Sequence, residues 1–325
     1  MAGHRLRTIE TNGITVRIAE QGEGPLVLLL HGFPESWYSW RHQLPALAAA
    51  GFHAVAPDLR GYGESDAPPQ IDDYNILQLT ADAAGIVDAL GEQTAVVVGH
   101  DWGAIIAWQC ALLHPDRFRA MAALSVPYNG RPERPPLDQW RDNFGDNFFY
   151  ILYFQEPGVA EAEFDADPRR MLSRLYRSPD SEEAAPPEIT SPLANAGGWA
   201  GRMAEPKQLP DWLTADDLDY FVAEFERAGF RGGVNFYRNF DRNWELTPQL
   251  AGAQVHQPVL FIAGAQDPVL GFGGGGSIET LEERLRGIAP QLTKCVLIPQ
   301  TGHWTQQERP DEVNAELIEF LGGLD

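Results

Sequence analysis

"VVVGHDWGAIIAW", residues 96–108, decides how this chain is read. Three valines run into Gly99, Asp101 follows two positions later, and Trp102, Gly103 and a run of small and apolar residues come next. The β-branched run predicts a strand, and the apolar stretch behind Gly103 predicts a helix. Joining them so quickly requires a very tight turn, which leaves the side chain at its apex held out beyond the strand. The spacing is that of a nucleophile elbow, G-x-Nuc-x-G, with a carboxylate where a serine is the common occupant. The question it sets is which chemistry needs a carboxylate there.

Strands and helices alternate on both sides of this stretch. "ITVRIAE" and "PLVLLL" read as strands, "SWRHQLPALAAAG" as a helix, and "HAVAPDLRG" as a strand and loop. "ILQLTADAAGIVDAL" reads as a helix, and "FRAMAALSVP" as the strand after the elbow helix. That order predicts an α/β fold, a mostly parallel central sheet with helices on both faces. Near residue 128 the texture changes: "NGRPERPPLDQW" is polar and proline-rich, and the chain to about 247 is aromatic and helical. Its clearest helix is "LTADDLDYFVAEFERAGF", with Thr214 as the N-cap and Gly229 near its end. Alternation resumes with "PVLFIAG", "SIETLEERLRGIAP", "TKCVLIPQ" and "DEVNAELIEFLGG". The expectation is a split core, residues 1–128 and 248–325, carrying an inserted helical cap at 129–247. "GFGGGG" at 271–276 is expected to be a loose loop and not a phosphate cradle, since no Lys-Ser/Thr follows it.

Composition narrows the class. The formal net charge of −22 repels nucleic acid and anionic lipid, so neither is expected as a partner. The two cysteines, Cys110 and Cys295, have no metal-ligand spacing and sit in apolar runs, which suggests core thiols of a reducing compartment. The amino terminus "MAGHRLRTIE" has no apolar signal region, and "LVLLL" is too short to span a bilayer. A cytoplasmic protein is expected, monomeric or homodimeric.

If Asp101 is a nucleophile, it needs a base and an acid that orients the base. In folds built around such an elbow the chain order is nucleophile, acid, histidine. Asp267 stands just beyond the predicted strand "FIAG", and His303 just beyond the strand that ends in "LIPQ". Sites form beyond the carboxyl ends of parallel strands, so all three fall on one edge of the sheet. "LLLHGFPESW" leaves another strand at that edge. The backbone N–H groups of Phe33 and Trp102 are therefore the candidates for an oxyanion hole. An aspartate after a strand is usually a turn former and a lone histidine usually structural; order and position together favour the site.

At this point nearly the whole chain resembles the α/β-hydrolase-fold epoxide hydrolases, and is most similar to the soluble epoxide hydrolase branch. The resemblance rests on "HGFPESW", "DLRGYGES", "GHDWG", "YFQEPGVAEAEF", "GFRGGVNFYRN" and "GHWTQ". It implies Asp101 as nucleophile, Asp267 as charge-relay acid, His303 as base, and two cap tyrosines, Tyr150 and Tyr237, on the epoxide oxygen. Tyr153 is the second choice for the first tyrosine. It also implies a cis peptide joining Phe33 to Pro34, a small apolar epoxide as substrate, and no metal or cofactor. Trp37, Phe154 and Trp199, with Trp102 and Phe33, are expected to line the pocket.

This answers the opening question. An epoxide presents a saturated carbon. Serine attack would leave an ether that water does not readily cleave, whereas aspartate attack leaves an ester that activated water can hydrolyse. Aspartate has an ordinary pKa of about 3.9 and is ionised without help, so His303 is free to activate the water. Phenols, with an ordinary pKa near 10, stay protonated and can donate to the opening oxygen. A haloalkane dehalogenase shares the aspartate ester but needs N–H donors for halide, and Trp102 could supply one. An esterase is disfavoured because Ser125 lacks the turn glycines, and a silent binding protein because no member of the triad is missing.

Overall fold

Buried apolar runs, each too short for a long helix and each ended by a turn, form the centre of the molecule. The structure, a computed structural model, describes residues 3–272 and 278–324; the glycine run at 273–276 lies outside them. The strands of the main sheet are β1 (Arg5–Thr11), β2 (Ile14–Gln21), β3 (Leu26–Leu30), β4 (His53–Pro57), β5 (Ala95–His100), β6 (Phe118–Leu124), β9 (Val259–Gly264) and β10 (Leu292–Ile298). Among the described residues these eight lie in the order β1-β2-β4-β3-β5-β6-β9-β10. From β4 across to β10 every pairing is parallel, while β2 runs antiparallel to both β1 and β4. β3, β5 and β9 are buried along their whole length, as strands covered on both faces must be. Helices α1 (Gln43–Ala49), α2 (Ile76–Ala89), α3 (Trp102–Leu113), α12 (Ile278–Ile288) and α14 (Pro310–Gly322), with the single turns α11 (Val269–Phe272) and α13 (Thr305–Glu308), accompany this sheet.

Two sequence expectations change here. β1 was not read as a strand, because on this edge strand only Ile9 and Thr11 are buried and the alternation is faint. The helix expected over "SWRHQLPALAAAG" is two pieces, a 3₁₀ turn at Trp37–Trp40 and α1. Pro45 has no N–H to give and fits only the first turn of a helix, so α1 starts at Gln43.

The chain between β6 and β9 adds no strand to the main sheet. It forms α4 (Pro136–Phe144), α5 (Tyr150–Tyr153), α6 (Val159–Phe164), α7 (Pro168–Leu175), α8 (Ala215–Ala228), α9 (Arg231–Arg238) and α10 (Phe240–Leu246). A small antiparallel pair, β7 (Glu183–Ala185) with β8 (Glu205–Pro206), lies among these helices and was not expected, since both strands are very short and polar. Thr214 caps α8 as read from sequence, its hydroxyl accepting from the Asp217 N–H, and Gly229 ends the helix at φ +67°.

This inserted segment is tied to the sheet by charge and by polar bonds. The buried Arg17 guanidinium of β2 bonds Asp58 of the core and Glu224 of α8, each at 2.5 Å. Tyr38 donates its hydroxyl to Asp217 at 2.8 Å, and the Trp37 indole donates to the Tyr220 hydroxyl at 2.9 Å. On the other side Asn243 accepts from the Ile76 N–H at 2.7 Å. Among the described residues no helix is long and apolar enough to cross a membrane. Both thiols are free, Cys110 buried and Cys295 part-exposed near the edge of the sheet.

Candidate active site

The turn after β5 places Asp101 at φ +52°, ψ −117°, a conformation a residue with a Cβ adopts only under strain. Gly99 and Gly103 make the turn possible. A Cβ on Gly99 would come within 2.0 Å of the Gly103 carbonyl, and one on Gly103 within 2.0 Å of the Leu30 carbonyl. The turn lifts the Asp101 carboxylate to the carboxyl edge of the sheet. There the loop after β3 meets it: the Phe33 N–H donates to Asp101 Oδ1 at 2.8 Å. The peptide between Phe33 and Pro34 is cis. Trp102 opens α3, so its N–H has no acceptor within the helix.

The loops after β9 and β10 bring up Asp267 and His303. His303 Nε2 lies 3.5 Å from Asp101 Oδ2, and its Nδ1 lies 3.0 and 3.1 Å from the two Asp267 oxygens. Asp267 also accepts from the Val269 N–H at 2.9 Å, which fixes its plane. Burial opposes charge on His303, but the carboxylates of Asp267 and Asp101 outweigh it and hold its pKa well above the ordinary value. Burial likewise pushes against ionised Asp267, and the His303 charge and bond bring its pKa below the ordinary value.

Further residues, not found by sequence reasoning, hold His303 from behind. His100 Nε2 lies 2.8 Å from the His303 carbonyl, and the Ser125 hydroxyl donates to that carbonyl at 2.9 Å. His100 Nδ1 faces Glu35 at 2.7 Å. Glu35 is fully buried and accepts from the Gly32 N–H, Gln306 and Gln307. Burial would raise its pKa, but His100, His31 and the Gly32 N–H bring it down to about 2. The two ring nitrogens of His100 thus face Glu35 on one side and the His303 carbonyl on the other. The signal in the sequence is slight: Glu35 and His100 stand inside HGFPESW and VVVGHDW, the strings that also carry the turn and Asp101.

Asp101 opens on a cavity of about 410 Å³, lined also by Trp102 from the core and by Tyr150, Ile151, Tyr237 and Phe240 from the inserted helices. Tyr150 begins α5 and Tyr237 lies in α9, their rings 5.8 Å apart at a steep angle. Burial raises both phenol pKa values well above 10, and the Asp101 charge raises them further. Both therefore remain protonated donors. Tyr153 does not line the cavity; its hydroxyl donates to Glu163 at 2.9 Å.

Four expected pocket residues, Phe33, Trp37, Phe154 and Trp199, lie off that wall. Trp37 is buried edge-on to the stacked rings of Tyr38 and Tyr220, with its backbone N–H on Asp58 and its indole N–H on Tyr220, so it braces the seam between core and inserted helices. Phe154 packs behind both tyrosines, with ring centroids 5.6 Å from Tyr150 and 4.9 Å from Tyr237. Trp199 stacks on Tyr150 at 4.9 Å and 17°. These two support the tyrosines without facing the space they border. The Phe33 ring packs edge-on to Tyr237, and only its N–H reaches Asp101.

With this geometry in hand, comparison with known proteins is informative. Residues 25–310 match the family model described as alpha/beta hydrolase fold. Epoxide hydrolase A of Mycobacterium tuberculosis is 50% identical over 323 residues, 98% of each chain. Bifunctional epoxide hydrolase 2 of Sus scrofa is 39% identical over 95% of this chain, which spans 53% of that longer protein. The crystal structure of epoxide hydrolase A from Mycobacterium thermoresistibile superposes with a TM-score of 0.90 at 52% identity, covering 99% of both chains. An epoxide hydrolase from Vigna radiata superposes at 0.86 with 38% identity over 98% of both.

Proposed function

The chain belongs to the epoxide hydrolases of the α/β-hydrolase fold, and on that premise we propose that it turns a small apolar epoxide into a vicinal diol through an ester on Asp101. The observation that carries this is the placement of two phenols, the half-buried Tyr150 and the buried Tyr237, on the cavity that Asp101 also lines. Residues 129–247 then act as the lid that supplies these phenols to the core.

In the first step Asp101 Oδ2 attacks a ring carbon while the Phe33 N–H holds Oδ1. The carbon–oxygen bond of the ring breaks, and the departing oxygen takes a proton from one of the phenols. Each preorganised donor to such an oxygen contributes on the order of 3 kcal/mol in a transition state. The carboxylate has become a neutral ester, so one of the two anions holding a proton on His303 is gone. His303 passes its proton to the phenolate and becomes a free base. In the second step it takes a proton from water, whose oxygen attacks the Asp101 carboxyl carbon. The Phe33 and Trp102 N–H groups receive the oxyanion. The intermediate collapses, the Asp101 ester bond breaks, and the diol leaves with the proton from His303. No metal or cofactor is needed to balance these steps. The two free thiols fit a reducing, cytoplasmic compartment.

The test is a paired assay without added metal or cofactor: an aryl epoxide in one arm, a brominated alkane in the other. Diol without halide is the expected result. Halide without diol would assign the aspartate ester to dehalogenation, with Trp102 serving the leaving group.

A further inference from the structure

His303 stands on a loop between β10 and α13 whose peptide groups need outside partners. Its carbonyl is held by His100 and Ser125, as described above. The peptide N–H groups on either side of it converge on one carboxylate: the Gly302 N–H donates to Glu308 Oε2 at 2.9 Å and the Trp304 N–H to Glu308 Oε1 at 3.0 Å. Glu308 closes the single turn of α13 and folds back over the loop, with its own N–H on the Trp304 carbonyl at 2.8 Å. The loop is crowded from the lid side as well: a Cβ on Gly302 would lie 3.0 Å from Glu308 and 3.2 Å from Pro179, and the Trp304 indole donates to the Leu175 carbonyl at 3.3 Å. Glu308 is buried and does not line the cavity that holds Asp101; it borders a separate polar crevice with Gln266, Gln300 and Ser178.

The geometry points to Glu308 as a positioning residue for the second half-reaction, a carboxylate that clamps the backbone on both sides of the base. The role rests on the two-step reading above. It also separates the two steps. Asp101 attacks without help from the imidazole, so a loosened His303 leaves alkylation intact. Hydrolysis needs Nε2 at a fixed distance from the ester carbon, and a shift of about 1 Å at such a group costs on the order of 10²-fold in rate. Two charge-assisted bonds to backbone N–H groups hold better than a neutral acceptor, so glutamine is a graded substitute. It keeps one acceptor oxygen and turns an NH₂ group toward the second N–H.

The experiment follows both steps in a single turnover with an aryl epoxide, using wild type, Glu308→Gln, Glu308→Ala and His303→Gln. Alkylation is read from tryptophan fluorescence, and the ester from intact-protein mass. Glu308→Ala is expected to alkylate within about twofold of wild type and to hydrolyse about 10²-fold more slowly, accumulating the ester, with Glu308→Gln between the two. Full alkylation amplitude certifies that a variant is folded. Unchanged hydrolysis in Glu308→Ala, with the ester trapped by His303→Gln, overturns the role of Glu308 alone. Equal loss of both steps in both Glu308 variants overturns it too, because the residue would then only support the fold. If His303→Gln yields no ester, the two-step reading falls and takes this role with it.

Discussion

At the scale of single residues the account turns on protonation. The half-buried Tyr150 and the buried Tyr237 stand beside an anion, and burial and charge both favour the neutral phenol. Tyr150→Phe and Tyr237→Phe should therefore each slow ester formation by about 10²- to 10³-fold, the loss expected for one preorganised donor. The double variant should lose more, and its binding of diol should change little beside its rate. Stopped-flow alkylation rates check this, and a double variant at wild-type speed would remove the phenols from the chemistry. The triad positions were legible from order and spacing, because a strand end is visible in sequence and Asp101, Asp267 and His303 each follow one. Glu35, Ser125, His100 and Glu308 were not. His100 and Ser125 reach the His303 carbonyl across 203 and 178 positions, while Glu35 and Glu308 grip backbone N–H groups of their own loops, and no sequence pattern marks either kind of contact.

At the scale of elements, the inserted helices are tied to the sheet by Arg17, whose guanidinium lies between Asp58 and Glu224 with all three side chains nearly inaccessible. Removing the cation would leave two buried carboxylates facing each other. Arg17→Met should cost about 3–5 kcal/mol of stability, as breaking a buried ion pair from one side does. Adding Glu224→Gln to it should restore part of that, since one of the two facing carboxylates is then neutral. Thermal unfolding of the two variants measures both effects, and an Arg17→Met protein as stable as wild type would contradict the role of this link. Long periodic elements such as α2, α8 and α14 were legible because their apolar spacing matches the helical turn. β1 and the small pair β7 and β8 were not, since edge strands facing water carry little hydrophobic pattern. Trp37 illustrates the same limit: it is expected in the pocket, yet packing carries it into the seam between the core and the inserted helices.

At the scale of the whole molecule, stability should depend on pH through the buried His31. Its Nε2 accepts from the Leu59 N–H at 3.0 Å and its Nδ1 faces the Gly32 carbonyl at 2.9 Å, so no lone pair is left for a second proton. Burial lowers its pKa to about 4, although the Gly32 carbonyl and the Glu35 charge pull the other way. The unfolded chain takes up a proton near pH 6.5 and the folded one only near 4, so unfolding binds more protons across that window. Stability should fall as pH drops from about 6.5 to about 4, by on the order of 3 kcal/mol from this group. Glu35, held down to about 2, adds a further loss only below about pH 4.5. Urea unfolding at several pH values, with His31→Gln as comparison, should give a flatter profile for the variant; identical slopes would contradict the assignment.

The central claim is that the diol acquires its new oxygen from Asp101 and that water repairs the carboxylate. One turnover of excess enzyme with epoxide in ¹⁸O-labelled water tests it most directly, by mass spectrometry of the diol and of the peptide that contains Asp101. The account predicts an unlabelled diol and one ¹⁸O atom in the Asp101 carboxylate. Label in the diol, with Asp101 unlabelled, would mean that water attacks the epoxide itself and would contradict the covalent ester.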